Sequence, residues 1–233
     1  MAKRRKYGRP KVRRLNQENI KNFLNEINFE TEHIEQEWRH LLAFGNYQNK
    51  PAVLKLATTQ TTGKMTQNEF DWNYLVHLIP QSERANFTVP QNYHSGFYGK
   101  LFYFIAQRFV VSPLAVKNED LSDRRVPVKL IAKVVYQIQT LQPPDEYLKK
   151  KRKENPNYDK PKRPLEEKLL ESSTEWASQV PRNLDPFLRV LEEAEDLQRI
   201  PAHGDFVIRQ LYPVNKNVIG VIDLSKYGET KTK

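Results

Sequence analysis

The chain has 233 residues, of which 38% are hydrophobic, and it contains no cysteine. This length suffices for one sizeable core or two small lobes, and the low hydrophobic content predicts a globular body with polar appendages. The absence of cysteine excludes disulfides, thiolate metal sites and cysteine catalysis. No apolar stretch approaches the about 18 residues of a membrane span, and no signal-peptide core follows the basic N-terminus, so we expect a cytoplasmic protein.

The formal net charge of +10 is concentrated in two short segments. Residues 1–14 hold eight Lys or Arg and no acid, whereas residues 148–163 hold eight Lys or Arg against Glu154 and Asp159. The two segments therefore carry +8 and +6, which leaves −4 on the rest of the chain. The folded body is thus expected to be mildly acidic.

Both basic segments are predicted to be poorly structured. The second, residues 148–164, contains three prolines and almost nothing apolar, and its like charges repel one another. One interpretation is a solvated tail and a surface insertion. The other is weak, non-specific contact with RNA or an anionic surface through residues 1–14 and 149–163.

Three apolar runs in the first half of the chain indicate strands. They are residues 38–44, 52–57 and 101–109, and residues 45–50 are predicted to form the loop that joins the first two. Further along the chain, the spacing of the apolar residues changes from that of strands to that of helices. Apolar residues at helical spacing predict helices with the buried stripes Ile131, Val134, Val135, Ile138 and Leu141, then Leu165, Leu169 and Trp176, then Leu184, Phe187, Leu188 and Leu191. Strands followed by helices predict an α+β architecture.

A lysine interrupts the second of these strands. Alternation places Lys55 on the same face as Val53 and Ala57, and an ammonium group in such a run needs an anionic partner. Eleven residues later a helical pattern opens at Thr66, and Glu69 lies on its apolar stripe of Trp72, Val76 and Ile79. The alternative is that Thr66 and Glu69 form a capping box and Lys55 only flanks a sheet.

The last third of the chain carries two conspicuous aspartates. One ends the run His203-Gly204-Asp205, and the other, Asp223, ends a short apolar strand from residue 218. A strand that stops on a carboxylate places that charge where a metal or a phosphate can compensate it. Phosphoryl transfer needs a proton acceptor, a magnesium ligand and a lysine for the nucleotide phosphates, so these residues indicate that chemistry.

The order strand lysine, helix glutamate, His-Gly-Asp and strand-terminal aspartate resembles the aminoglycoside phosphotransferase and choline kinase-like branch of the protein kinase-like fold, over residues 38–227. The resemblance implies ATP and Mg²⁺ as cofactors and makes the linker that follows residues 101–109 the adenine-binding hinge. It also implies a role for each motif residue: phosphate binding by Lys55, positioning of Lys55 by Glu69, general-base catalysis by Asp205 and magnesium binding by Asp223.

Three features depart from that family pattern. Gln210 stands where the family has a metal-binding asparagine. The glutamine side chain is one methylene longer than that of asparagine, and a magnesium site tolerates such a displacement of the ligand oxygen poorly. Only ten residues follow Asp223, so the helical lobe is expected to be truncated, and no glycine lies between Gly8 and Gly45 to form a phosphate loop. His203 is interpreted as a structural residue of the catalytic loop. The remaining histidines, His33, His40, His77 and His94, form no metal-binding motif and are interpreted as incidental.

The sequence therefore predicts a two-lobed protein kinase-like fold of the α+β class. The predicted parts are a basic tail at residues 1–24, a small antiparallel sheet with one helix at 25–110, and a mainly helical lobe at 111–233 with the basic insertion at 148–164 and the catalytic segment at 203–223. The leading hypothesis is a magnesium-dependent phosphotransferase that uses ATP and a hydroxyl of a small molecule. The alternative is an inactive or weakly active nucleotide-binding scaffold whose basic arms bind a polyanionic partner.

Overall fold

The computed structural model describes residues 14–37, 39–115, 127–154, 156 and 207–223. His203 and Asp205 lie outside the described residues, as do the two helices predicted between residues 165 and 191. Within the described part of the chain, no helix is both long enough and apolar enough to cross a membrane.

The first lobe is built on a five-stranded antiparallel sheet. Its strands lie in the order β1-β2-β3-β6-β5, and the sequence segments are β1 (Phe29–Gln36), β2 (His40–Tyr47), β3 (Lys50–Ala57), β5 (Asn92–Tyr98) and β6 (Leu101–Gln107). The sequence predicted β3, β6 and the part of β2 that lies before residue 45, but the loop predicted at residues 45–50 is wrong. β2 and β3 continue to a tight turn at Gln48 and Asn49, which adopt φ angles of 51° and 61°.

The two edge strands, β1 and β5, escaped the sequence analysis. β1 has the sequence FETEHIEQ, and only Phe29 of its residues is buried. An edge strand that faces solvent on most of its length has neither the alternation nor the apolar run by which strands are found. β1 also contains a bulge between Thr31 and His33, which places Glu32 beside Arg108 at 2.6 Å.

One face of this sheet is covered by a helix that the sequence analysis assigned to the basic tail. Helix α1 (Gln17–Glu26) buries Ile20, Phe23 and Leu24 against Leu41, Leu54 and their neighbours on β2, β3 and β6. The boundary placed at residue 24 is therefore wrong, and the lobe includes α1. Its apolar residues have the spacing i, i+3 and i+4, which is typical of an amphipathic helix, but the adjacent basic residues obscured that pattern.

The opposite face of the sheet receives helix α2 (Gln60–Leu78). The N-cap is Thr59, whose Oγ1 accepts a hydrogen bond from the backbone N–H of Thr62 at 3.1 Å, so the helix begins six residues before Thr66. The capping-box alternative is therefore wrong. Thr66 is 1% exposed in mid-helix and its hydroxyl donates to the carbonyl oxygen of Thr62.

The second lobe is described in part. Strand β4 (Phe87–Thr88) pairs with β8 (Ile219–Val221), which pairs with β7 (Leu211–Pro213). A core cluster joins these strands to the second half of α2 and to helix α3 (Val128–Thr140), with the buried side chains Trp72, Leu75, Val76, Ile79, Phe87, Val134, Ile138, Leu211, Ile219 and Val221. The predicted α3 stripe is confirmed at Val134, Ile138 and Leu141.

The basic insertion is not extended over its first seven residues. Helix α4 (Asp145–Glu154) includes them, with Asp145 and Glu146 in its first turn and basic residues in its last. This arrangement complements the helix dipole, which explains why a strongly charged segment is helical. Lys151 anchors α4 to α2 through Asp71 at 2.7 Å, while Lys149, Lys150, Arg152 and Lys153 are exposed.

We predict opposite effects of adding a methyl group at two glycines of the first lobe. A Cβ atom at Gly45 would lie 1.8 Å from the backbone oxygen of Glu30, so Gly45→Ala should destabilise the fold by several kcal/mol or distort the β1 bulge. A Cβ atom at Gly63, in α2, would meet its nearest neighbour at 3.5 Å. Gly63→Ala should therefore stabilise by about 0.5–1 kcal/mol through helix propensity. Urea unfolding of both variants checks the pair, and a stable Gly45→Ala protein would contradict the strand register.

Candidate functional site

The site is centred on an ammonium group held between two carboxylates. Lys55 Nζ lies 2.5 Å from Glu69 Oε2 on α2 and 2.9 Å from Asp223 Oδ1, which follows β8. The Lys55 and Glu69 side chains are 14% and 8% exposed, and that of Asp223 is 39% exposed. Three predicted site residues, separated by up to 168 positions in sequence, thus meet at one point between the two lobes.

Burial and neighbouring charges act in opposite directions on the pKa of the Lys55 ammonium group. Burial alone would lower the pKa of Lys55, but the charges and hydrogen bonds of Glu69 and Asp223 raise it above the ordinary value, so the side chain is a cation. Burial raises the pKa of Glu69, against the effect of the Lys55 charge. The backbone N–H of Asp223 also donates a hydrogen bond to Glu69, which ties the second lobe to α2.

Asp223 is held in an uncommon backbone conformation. Its φ is 64°, in the left-handed region, which costs a non-glycine residue on the order of 1 kcal/mol. Its second carboxylate oxygen, Oδ2, accepts a hydrogen bond from Gln210 Nε2 at 3.0 Å. Gln210 precedes β7, and its carbonyl oxygen accepts the backbone N–H of Ile222 at 3.2 Å, so the two side chains belong to one rigid hairpin.

The side chains of Gln210 and Asp223 suit a magnesium ion once the terminal amide of Gln210 is rotated. Gln210 is 6% exposed, and its buried Oε1 has no hydrogen-bond partner. Rotation of the terminal amide by half a turn would place Oε1 beside Asp223, giving two oxygen ligands. Magnesium commonly takes one or two protein ligands and completes its shell with water and substrate phosphates. No cluster of three or more His, Asp or Glu suited to a metal occurs among the described residues, so a dedicated protein cage is absent there.

A histidine that the sequence analysis treated as incidental lies at the same site. His40, the first residue of β2, places Nε2 3.0 Å from Thr66 Oγ1. Burial and the nearby charge of Lys55 lower the pKa of His40 to about 3, against the opposing effect of Asp223. The ring is therefore neutral at physiological pH. No spacing in the sequence indicates this contact, because the two residues are 26 positions apart on different elements.

The face of the sheet that carries Lys55 also presents partly exposed apolar side chains. Leu41, Ala43, Ala52 and Leu54 pack against α1, so alternation places Leu42, Phe44, Val53 and Lys55 on the opposite face. The register confirms the neighbours, since Leu42 pairs with Lys55 and Phe44 pairs with Val53. This face offers an apolar surface beside a cation.

The segment after β6 borders that surface. The ring of Phe44 stacks on His33 with centroids 4.6 Å apart, and the Arg108 guanidinium lies 5.5 Å from the ring centre. A groove of about 390 Å³ opens here, lined by Glu32, Asn46, Pro51 and residues 108–112. The backbone N–H of Arg108 is bonded to the oxygen of Pro51.

The strand order, the helix on the lysine-bearing face and the strand-terminal aspartate define a protein kinase-like fold, as the sequence predicted. Aminoglycoside phosphotransferase APH(4)-Ia, as a thermostable mutant in a ternary complex with AMP-PNP and hygromycin B, superposes with a TM-score of 0.55 and 13% identity, over 89% of this chain and 71% of that one. Spectinomycin phosphotransferase APH(9)-Ia, in complex with ADP and spectinomycin, gives a TM-score of 0.50 and 12% identity, over 91% and 69%.

At this level of identity the likeness establishes the fold, and the roles of individual residues remain predictions. No protein-family model matches the sequence, and comparison with curated proteins gives no match. The likeness to the two solved structures confirms the predicted resemblance at the level of fold. The confirmed features are the α+β class and the antiparallel sheet with a helix in the first lobe. His203 and Asp205 are not among the residues that the structure describes.

We predict a loss of stability in acid that depends on His40. The ring is neutral in the folded state down to pH about 3 but binds a proton below about 6.5 when unfolded, so stability is fully present above pH 6.5 and falls as the pH drops. Each pH unit costs about 1.4 kcal/mol. His40→Gln keeps an N–H donor without a titrating group. Urea unfolding at pH 7 and pH 4 should show that the wild-type protein loses about 3 kcal/mol more than this variant. Equal losses in the two proteins would refute the buried, neutral state.

Proposed function

We propose that this protein transfers the γ-phosphoryl group of ATP to a hydroxyl of a small molecule, with magnesium as the metal. The observation that carries the proposal is the Lys55 ammonium, fixed between Glu69 and Asp223 on a sheet face that also offers the apolar side chains of Leu42 and Val53. An apolar slot that leads to a positioned cation suits a nucleobase followed by phosphates.

Each residue then has a defined task. Lys55 contacts the nucleotide phosphates, and Glu69 holds the ammonium group in place. Asp205 accepts the proton of the attacking hydroxyl, and His203 supports the loop that carries this carboxylate. Asp223 and the amide oxygen of Gln210 hold magnesium, which supplies charge neutralisation at the transferring phosphoryl group when bound.

The solved structures support the proposal at the level of fold and ligand class. The two described above hold a nucleotide or nucleotide analogue together with hygromycin B or spectinomycin. A fold that binds a nucleotide together with a small molecule is the setting that the proposed reaction needs. Function does not follow from fold alone, so the proposal depends on the geometry around Lys55.

One observation favours a second candidate, a nucleotide-binding scaffold with little or no catalysis. Both carboxylate oxygens of Asp223 are satisfied by protein donors, Lys55 Nζ and Gln210 Nε2, so the amide nitrogen of Gln210 occupies the position that a metal-binding oxygen would need. Helix α4 adds four exposed cations, which suit contact with a polyanionic partner such as RNA. In this candidate the basic segments recruit the partner.

The proposal predicts nucleotide binding that depends on Lys55 and turnover that depends on Asp205. Mg-ATP at 100 times its Kd should stabilise the wild-type protein by about 2.7 kcal/mol in a thermal melt. Lys55→Met should abolish this shift, whereas Lys50→Met, an exposed lysine at the start of the same strand, should retain it. Asp205→Asn should retain the shift while lowering turnover by about 10² to 10⁴-fold.

The outcomes separate the two candidates. No thermal shift at millimolar Mg-ATP in the wild-type protein would contradict both of them. A shift that is lost in Lys55→Met, together with no phosphorylation of any member of an acceptor panel of aminoglycosides, amino alcohols, sugars and nucleosides, would favour the scaffold.

Magnesium dependence tests Gln210. Gln210→Asn shortens the side chain by one methylene and withdraws the amide nitrogen from Asp223 Oδ2, so half-maximal activity or ATP binding should need several-fold less magnesium. A magnesium titration at fixed ATP measures the effect. Asp223→Asn is the matched control, because it removes the charged ligand and should raise the magnesium requirement. An unchanged requirement in Gln210→Asn would show that the length of Gln210 does not limit metal binding.

A further inference from the structure

The two halves of helix α2 are held in different ways. From Trp72 onwards the helix buries large apolar side chains in the core that both lobes share. Before Glu69, the buried residues of α2 are Thr62, Gly63 and Thr66, and the Met65 side chain is exposed. At the junction of the two halves, Phe70 packs on Phe102 and Phe104 of β6, and its carbonyl oxygen accepts a hydrogen bond from Asn92 Nδ2 on β5 at 2.7 Å. None of the buried residues before Glu69 is large and apolar, so the position of those first turns depends more on polar contacts.

Two hydrogen-bonded ties connect this first half to the sheet. One is the ion pair of Lys55 on β3 with Glu69. The other joins His40 on β2 to Thr66, which lies one turn before Glu69 on the same buried side of the helix. The Lys55 ion pair and the contacts of Phe70 hold the helix at and just after Glu69, and the bond of His40 to Thr66 holds the turn before it. Contacts on both sides of Glu69 fix the direction in which its side chain projects.

The hydrogen bonds around Thr66 favour one tautomer of His40. The Thr66 hydroxyl is placed to donate its single proton to the carbonyl oxygen of Thr62 at 2.9 Å, and a carbonyl oxygen can only accept. With the proton assigned in this way, Thr66 Oγ1 accepts from His40 and Nε2 carries the ring proton. The bond is a directional contact between a neutral ring and a buried hydroxyl.

We propose that His40 is a positioning residue, which fixes the first half of α2 through Thr66 and thereby holds Glu69 against Lys55. The proposal rests on the proposed function only in so far as Lys55 binds nucleotide. The charged groups that influence the ring are Lys55 on β3, Asp223 after β8 and Arg39 before β2. Two of the three are cations, so a ring that is neutral at physiological pH provides the tie without repelling Lys55.

Hydrogen exchange of the nucleotide-free protein tests the tie itself. His40→Phe and Thr66→Val each remove it and should accelerate exchange of the amides at residues 64–70 by about five- to tenfold, and the double variant should add nothing further. His40→Gln places an amide N–H near the position of Nε2 and should restore the wild-type rates. His77→Phe is the matched control, because it removes the hydrogen bond of His77 to the Val89 oxygen at the apolar end of the same helix and should leave residues 64–70 unchanged.

Labelling of Lys55 tests the consequence for the site. With Glu69 less firmly placed, the pKa of Lys55 should fall and its acylation by an amine-reactive ester, followed by mass spectrometry, should become several-fold faster in His40→Phe, as in Glu69→Gln, but not in His40→Gln or His77→Phe. Faster exchange with unchanged Lys55 labelling would overturn the proposal, since His40 would then stabilise α2 without positioning Glu69. Unchanged hydrogen exchange at residues 64–70 in His40→Phe would also overturn the proposal. Both readouts use the protein without ATP, so a failure of nucleotide binding would count against the proposed function alone.

Discussion

The arrangement of this protein depends on one buried cation. Lys55 lies on an apolar face of the sheet, and its ammonium group would be costly there without compensation. Glu69 and Asp223 provide it, and they come from two elements that the chain reaches 14 and 168 residues later. Because removal of one partner would leave an uncompensated charge, α2 and the β7–β8 hairpin are held in place by the same group that is proposed to bind phosphate. Stability and function are thus coupled at this point.

The charge balance of the site has a further consequence. One ammonium group between two carboxylates carries a net charge of −1, and a nucleotide triphosphate is itself strongly anionic. Phosphates therefore cannot simply join this cluster through Lys55, since Asp223 would repel them. Under the proposed function, a divalent cation held by Asp223 would release Lys55 from one carboxylate and would attract the phosphates. Nucleotide and magnesium would then bind together, and the amide nitrogen of Gln210, which bonds Asp223 Oδ2, would compete with the metal for that oxygen.

Sequence reasoning predicted the parts of the site in which a charged side chain stands within or at the end of an apolar segment. Lys55 stands in an apolar strand and Asp223 ends one, so each required a partner, and their order in the chain indicated the fold. Strand β6 was found because it is buried on both faces, and β3 because most of its residues are apolar although one of its faces is partly exposed. The edge strands β1 and β5 and helix α1 were missed for the opposite reason. Their exposed faces carry charged and polar residues that dilute the apolar period.

Two features of the site had no signal in the sequence. Helix α2 was predicted to begin at Thr66 because the apolar stripe starts near there, whereas the helix begins at Gln60 with a turn and a half of polar and small residues. The stripe marks only the half that packs on the second lobe. His40 was missed because a histidine with one distant hydroxyl partner has no local pattern, and its partner, Thr66, was interpreted as a cap.

The polar half of α2 has a physical rationale. Apolar contacts are not directional, so a helix held by them alone tolerates small shifts along and about its axis. Hydrogen bonds weaken steeply with misalignment, and those made by His40 and Lys55 tolerate much less displacement. The helix is thus fastened to the second lobe by its apolar half and aligned on the sheet by its polar half, and Glu69 lies where the two halves meet.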